Sequence, residues 1–266
     1  MRLTTLIYHD VLSDSGVDDS GFSGADAASY KLSSAQFRKH LELIAGGVGP
    51  TGPLRVVGSE SLANSIGGVV LTFDDGGKSG VGCVAGLLEE LAWRAHFFVT
   101  TNYVGTPGFL TPSDIRRLHA SGHVVGSHSV SHPARMSSLS MERVAAEWRD
   151  SCAAIADILG APVRTASVPG GYYSPDVGRI ASECGIEVLF TSEPTRIVAN
   201  IETMAVVGRF SVTRRTSDSE LVSLVTGRHG AVLRQRLLWD AKKVAKGLGG
   251  GAWLAVRKRL FDLGLG

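Results

Sequence analysis

Cysteine is scarce in this chain: Cys83, Cys152 and Cys184 are odd in number, far apart and mostly flanked by helix-type sequence. Neither a disulfide framework nor a paired-cysteine metal site is expected, and the three read as reduced core residues. Long apolar runs are lacking too. Nowhere do 18 uninterrupted apolar residues occur, which argues against a helical membrane span. Residues 1–10 have neither the apolar stretch nor the small-residue cleavage site of a signal peptide, so the default expectation is the cytoplasm. Repeats and low-complexity tracts are absent. What is present is enough for a large core: 266 residues with 44% apolar content can fold as one α/β unit with a tail.

Charge is small in sum and uneven in place. The chain nets +2, yet eight basic residues fall between Arg234 and Arg259 against Asp240 alone, which leaves the remainder acidic. The tail, and not the body, is therefore the part expected to meet an anionic partner.

Apolar runs of strand length alternate with segments of helical period, the pattern of a mostly parallel sheet wrapped by helices. The strand candidates are residues 3–8, 69–73, 95–100, 123–126, 163–168, 186–191 and 206–212, about seven in all. Helices are expected from Ser33 or Ser34 to Gly46-Gly47, over residues 81–94, from Thr111-Pro112 to Gly122, over residues 140–159 and from Ser174-Pro175 to Gly185. In the fourth of these, Met141, Val144, Ala145, Trp148, Cys152, Ile155 and Leu159 form the apolar side. The acidic stretch with Asp14, Asp18, Asp19 and Asp26 reads as a solvated loop, since it lacks the glutamate that would close a calcium loop.

Two clusters carry chemistry. Asp74-Asp75-Gly76 is ordinary turn sequence on its own, but here it directly follows a buried strand. Adjacent carboxylates in that place repel unless a cation or a shared proton relieves them, and a metal on one leaves the other ionised as a base. His128 and His132 stand four apart, as on a zincin helix. Ser129, however, occupies the position of the zincin glutamate, and Pro133 pushes His132 out of the helical region, so a loop is expected to present them. Either histidine alone is more often a surface or core residue. Two neutral imidazoles with one carboxylate make a three-ligand zinc site with an open position. Asp74-Asp75, His128, Pro169-Gly170-Gly171 and Glu193 all fall at or just after strand ends, where α/β folds gather their chemistry.

Thr72-Phe73-Asp74-Asp75-Gly76, His128-Ser129-Val130-Ser131-His132, the opening Ile7-Tyr8-His9 and the Pro-Gly motif at Pro169 resemble the polysaccharide deacetylases of carbohydrate esterase family 4, the NodB-homology domains, over roughly residues 1–215. The resemblance implies an α/β fold, a distorted NodB-like (β/α) barrel of about seven strands over residues 1–230; the basic amphipathic helical extension over 231–266 is read from its own charge and periodicity. It implies removal of N-acetyl groups from amino sugars of a polysaccharide or its lipid-linked precursor, as in exopolysaccharide biosynthesis. A divalent metal, Zn²⁺ foremost with Co²⁺ or another ion as substitutes, would be held by Asp75, His128 and His132. Asp74 would be the general base for a metal-activated water that attacks the acetamide.

The chain departs from the family pattern in three places. The third motif usually carries an Arg two residues before its Pro, and Ser167 occupies that place. Arg209 either supplies the cation from the neighbouring strand or is an exposed structural residue. The Asp-Trp element of the fourth motif is not visible, and Glu193 stands in its region. The fifth-motif histidine that protonates the leaving amine has no counterpart beyond residue 200 except His229, at a helix junction. His9 is the candidate acid, with Asp10 beside it to hold the imidazole; the alternative is a packing role. Pro169, Gly170, Gly171, Tyr172 and Glu193 are substrate-binding candidates, although a plain turn or packing explains them too. Two other functions stay open: a catalytically impaired carbohydrate-binding protein that retains the metal triad, and a hydrolase of another non-peptide C–N bond.

The tail also has two readings. Leu233, Leu237, Ala241, Val244 and Leu248 recur on one side, with Trp239, Trp253 and Phe261 as aromatic anchors. Either it is an interfacial helix, placing a cytoplasmic protein on the inner membrane face through residues 231–263, or it packs across the barrel with a solvated basic side. Nucleic acid is not expected as a partner, because no recognised binding module accompanies the charge.

Overall fold

The computed structural model describes residues 2–13, 17–47 and 68–247. Nine strands form the main sheet: β1 Thr4–Tyr8, β2 Val69–Phe73, β3 His96–Val99, β4 Val124–Ser127, β5 Thr165–Ser167, β6 Val188–Phe190, β7 Val198–Ile201, β8 Met204–Val207 and β9 Phe210–Ser211. Their order is β9-β1-β2-β3-β4-β5-β6-β8-β7, and every pairing is parallel except that of β7 with β8. Parallel strands are covered on both faces. All five residues of β1 and of β2 are accordingly buried.

The expected strand over residues 206–212 is two strands, and the break shapes the molecule. β8 pairs with β6 at one side of the sheet while β9, two residues later, pairs with β1 at the other. One short segment thus bridges the two sides, and the sheet curls into the distorted barrel. The interruption lies at Gly208-Arg209. A Cβ on Gly208 would stand 2.4 Å from Thr195 Cγ2 and 2.5 Å from the Glu193 carbonyl oxygen, an approach only glycine permits. The Arg209 amide then donates to that same Glu193 carbonyl (2.9 Å).

Seven helices matter here: α1 Ser34–Gly47, α2 Ala85–Glu90, α3 Pro112–Ala120, α4 Met141–Leu159, α5 Pro175–Glu183, α6 Asp218–Val225 and α7 His229–Gly247. Their starts follow sequence chemistry. Thr111 and Asp114 cap α3 reciprocally, and Ser140, Ser174 and Ser217 each accept an amide at the heads of α4, α5 and α6. The expected helix over 81–94 is shorter: a π-helical turn, Gly80–Val84, precedes α2, which ends at Glu90. Gly80, Gly82 and Gly86 weaken the regular ladder there.

The inner side of α4 also differs from expectation. Met141 is 56% exposed, and the buried residues are Val144, Glu147, Trp148, Ser151 and Ile155. On α7 the expected apolar side is turned outward, with Leu233 and Leu237 56% and 60% exposed. Ala231 and Val232 pack on the core instead. The remaining tail residues invoked for a membrane contact, beyond Gly247, lie outside the described residues.

Side-chain alternation assigns the aromatic residues. Tyr8, Phe73 and Phe97 stack along β1, β2 and β3, with centroids 5.5 and 5.0 Å apart, and belong to the large cluster beneath α1, α2 and α3. Residues of the opposite parity, Thr72, His96 and Phe98, meet Phe190 and Arg209 inside the barrel.

Candidate active site

The site forms at the carboxyl ends of β2, β4 and β5. The Asp74 amide donates to the Tyr8 carbonyl (3.0 Å), continuing the β1–β2 ladder by one step. Asp75 then turns to φ 75°, a left-handed backbone that costs a non-glycine residue about 1–3 kcal/mol. That reversal separates two carboxylates that would otherwise repel. Asp74 faces the barrel interior and Asp75 faces the loop after β4.

The histidines are presented by that loop, as the sequence implied. Ser129 and His132 also adopt positive φ, 68° and 54°. Their conformation is held from α4: Glu147 accepts from the amides of Val130 and Ser131 (both 2.9 Å) and from the Ser131 hydroxyl (2.6 Å). Ser127 Oγ accepts from the Ser129 amide (3.1 Å) and shares a hydrogen bond with Ser151 Oγ (2.8 Å). Glu147 and Ser151 were not singled out in the sequence, although two polar residues inside an apolar helical stripe are a signal that something buried needs them.

Asp75, His128 and His132 each offer a ligand atom within 4.8 Å of the others. Asp75 Oδ1 lies 3.4 Å from both His128 Nε2 and His132 Nε2. Two donors each about 2.0–2.1 Å from a tetrahedral ion stand roughly 3.3–3.4 Å apart, so this spacing suits a shared cation. His128 Nδ1 is hydrogen-bonded to the Ser167 carbonyl (2.9 Å), which leaves Nε2 as the free lone pair. Burial alone would raise the Asp75 carboxyl, but the two imidazoles outweigh it and hold the group well below the usual carboxylate range. For His132, burial pulls down and the Asp75 carboxylate pulls up, with a net rise. The residues fit a divalent metal.

Arg209 is fully buried, which corrects the reading of an exposed structural residue. Its guanidinium makes a two-pronged pair with Asp74, Nη1 to Oδ1 at 2.7 Å and Nη2 to Oδ2 at 2.8 Å. The remaining donors go to Thr72 Oγ1 (2.9 Å), the Thr191 carbonyl (3.0 Å) and Ser167 Oγ (2.6 Å). Ser167 Oγ in turn donates to Asp74 Oδ2 (3.1 Å). A small residue at position 167 therefore leaves room for a guanidinium that arrives from the β8–β9 break. Burial raises the Asp74 carboxyl; Arg209 and His128 more than offset this and keep it ionised below its usual range.

An open cavity of ≈340 Å³ gives access to the cluster and is lined by His9, Asp74, Asp75, His128 and His132 among others. The His9 ring packs against Tyr30 (4.7 Å between centroids), and its buried Nδ1 has no hydrogen-bond partner among the described residues. Asp10 does not hold that imidazole: its carboxylate accepts from Ser20 (2.5 Å) and Ser79 (2.7 Å) and ties two loops together. Gly170 and Gly171 line the cavity, whereas Pro169, Tyr172 and Glu193 are not on its wall. Arg135 covers the Tyr172 ring at 4.6 Å. Glu193 serves through its backbone, bracing Arg209. Trp239 of α7 is on the wall, a placement that nothing in the local sequence announced.

A family model described as polysaccharide deacetylase matches residues 63–189. The chitin deacetylase of Colletotrichum lindemuthianum is 39% identical over 66 residues, 24% of this chain and 27% of its own. The curated relatives are matched over only about a quarter of their length, 25–28%. Among solved structures, a polysaccharide deacetylase from Bacillus cereus aligns with TM-score 0.69 at 19% identity, over 85% of this chain and 69% of that one. The Streptococcus pyogenes deacetylase PplD, in complex with acetate, aligns with TM-score 0.67 at 18% identity, over 85% and 98%. These likenesses concern the fold. Matched in sequence over residues 63–189, where the aspartate pair and both histidines lie, and folded alike over most of its length, the chain is similar to the polysaccharide deacetylases.

Proposed function

We propose that the protein removes N-acetyl groups from amino sugars of a polysaccharide or its lipid-linked precursor, using a divalent ion held by Asp75, His128 and His132. When bound there, the ion supplies Lewis acidity to a water and to the acetamide carbonyl. Asp74 receives the proton of the attacking water on its carboxylate. Its ion pair with Arg209 and its hydrogen bond from Ser167 keep that carboxylate charged and fixed in direction. Asp74 Oδ2 lies 3.9 Å from His128 Nε2, so base and ligand flank one position. His9, on the same cavity wall, gives a proton to the departing amine nitrogen as the C–N bond breaks, leaving acetate and a free amino sugar. The cavity's open mouth suits a sugar within a chain.

The observation that carries this reading is the pairing of an oriented, buried carboxylate with a three-ligand cluster in one cavity. The alternative of a glycan-binding relic rests on the missing third-motif Arg and the missing fifth-motif His; the Arg209–Asp74 pair answers the first of these. The test is acetate release from N-acetylglucosamine oligomers by zinc- or cobalt-loaded protein. Release is expected, with a loss of about 100-fold or more in Asp74→Asn. Glycan binding without acetate release from any N-acetylated sugar would overturn the proposal.

A further inference from the structure

Part of the cavity wall comes from outside the residues that the family model matches. Trp239, on α7, lines the same cavity as Asp74, Asp75, His128 and His132. Its six-membered ring lies against Gly171, where an added Cβ would stand 2.9 Å from Cη2 and 3.3 Å from Cζ3. Gly171 is at φ 70°, so the Pro169–Gly171 turn is shaped to receive the indole.

The helix is docked, not loosely attached. Ala231 and Val232 pack on the main core, Gln235 Nε2 donates to the Ser211 carbonyl (3.1 Å), and Arg234 pairs with Glu220 (2.9 Å). Val232, Gln235 and Trp239 follow helical spacing along one side, while Leu233 and Leu237 project from the other. Ser211, to which Gln235 bonds, is itself a cavity residue.

We propose that Trp239 is a substrate-positioning residue: its indole is the aromatic platform on which a pyranose ring of the glycan stacks beside the metal cluster. This rests on the deacetylase reading. A hexosamine ring has a face of C–H bonds and an edge of hydroxyls. The indole supplies an apolar plane for the first, and Asp26, Tyr30, Ser192 and Thr213 supply polar partners for the second. The platform makes α7 part of the substrate site.

Steady-state kinetics on N-acetylglucosamine oligomers with zinc-loaded full-length protein test this. Trp239→Ala is expected to raise KM about tenfold, and Trp239→Phe to retain most of the affinity. In Trp239→Ala, kcat should stay within about threefold and zinc affinity should be unchanged. Gly171→Ala should weaken binding as well, by displacing the indole, whereas Leu237→Ala on the outer side should change nothing. An unchanged KM in Trp239→Ala, or a loss that falls on kcat and zinc binding alike, would overturn the proposal. If wild-type protein releases no acetate, the deacetylase reading fails by itself. Calorimetry of the oligomer with Asp74→Asn, with and without Trp239→Ala, then decides the platform: equal affinities or no binding overturn it.

Discussion

Arg209 is where a single residue carries the most consequence. Removing one partner of a buried ion pair leaves the other charge uncompensated and costs about 3–5 kcal/mol. Arg209→Gln is therefore expected to lower the thermal midpoint. Without the guanidinium, burial dominates at Asp74 and its carboxyl rises. Since the base must be ionised, the acid limb of the rate-pH profile of acetate release should move to higher pH. A profile that falls in height without shifting would mean that Arg209 acts on folding alone. The aspartate and histidine clusters were legible from sequence because adjacent carboxylates at a strand end need a cation or a shared proton to relieve them, and two nearby imidazoles suit the former. Arg209 was only half legible: its type was noticed, but its burial depends on the glycine that breaks the last strand and on a serine 42 residues earlier.

The supporting elements divide into those that chemistry announces and those that packing decides. Caps and strand runs predicted most helices and parallel strands to within a few residues. Short-range pattern failed where tertiary contact rules: residues 206–212 read as one apolar strand because nothing in the run shows that its two halves pair with opposite sides of the sheet. The same holds for α4, whose Glu147 and Ser151 sit among apolar neighbours in order to hold the histidine loop. That loop contains two left-handed non-glycine residues, so its shape must be imposed from outside. Glu147→Ala strands the amides of Val130 and Ser131. It should weaken zinc affinity about 10–100-fold, as loss of outer-shell support generally does, while circular dichroism keeps its helical signal. Unaltered zinc affinity would show that the loop holds its own shape.

For the whole molecule, stability depends on histidines that lie apart from the candidate site. Burial lowers His40 to about 4, His96 to about 3 and His123 to about 4. In the folded protein these rings stay neutral, whereas an unfolded histidine takes a proton near its usual pKa of about 6.5. Between those values the unfolded chain binds more protons, so stability is full above about pH 6.5 and declines as pH falls toward about 4. Denaturant midpoints measured across that window should fall steadily, and replacing His96 with an apolar ring should flatten the decline. A pH-independent midpoint would contradict it. At this scale the barrel and the alternation of elements were readable in the chain. The seating of α7 was not, because its periodicity suited both an interfacial helix and one packed on the barrel, and did not show that the side with Trp239 and Gln235 meets the barrel while Leu233 and Leu237 face outward.

The most direct measurement is metal titration by calorimetry, followed by anomalous scattering from a zinc-loaded crystal. One ion per chain is expected, contacted by Asp75 Oδ1, His128 Nε2 and His132 Nε2, with Asp74 beside it and still paired to Arg209. A pocket that stays empty at saturating zinc, or an ion bound by other side chains, would contradict the proposed chemistry.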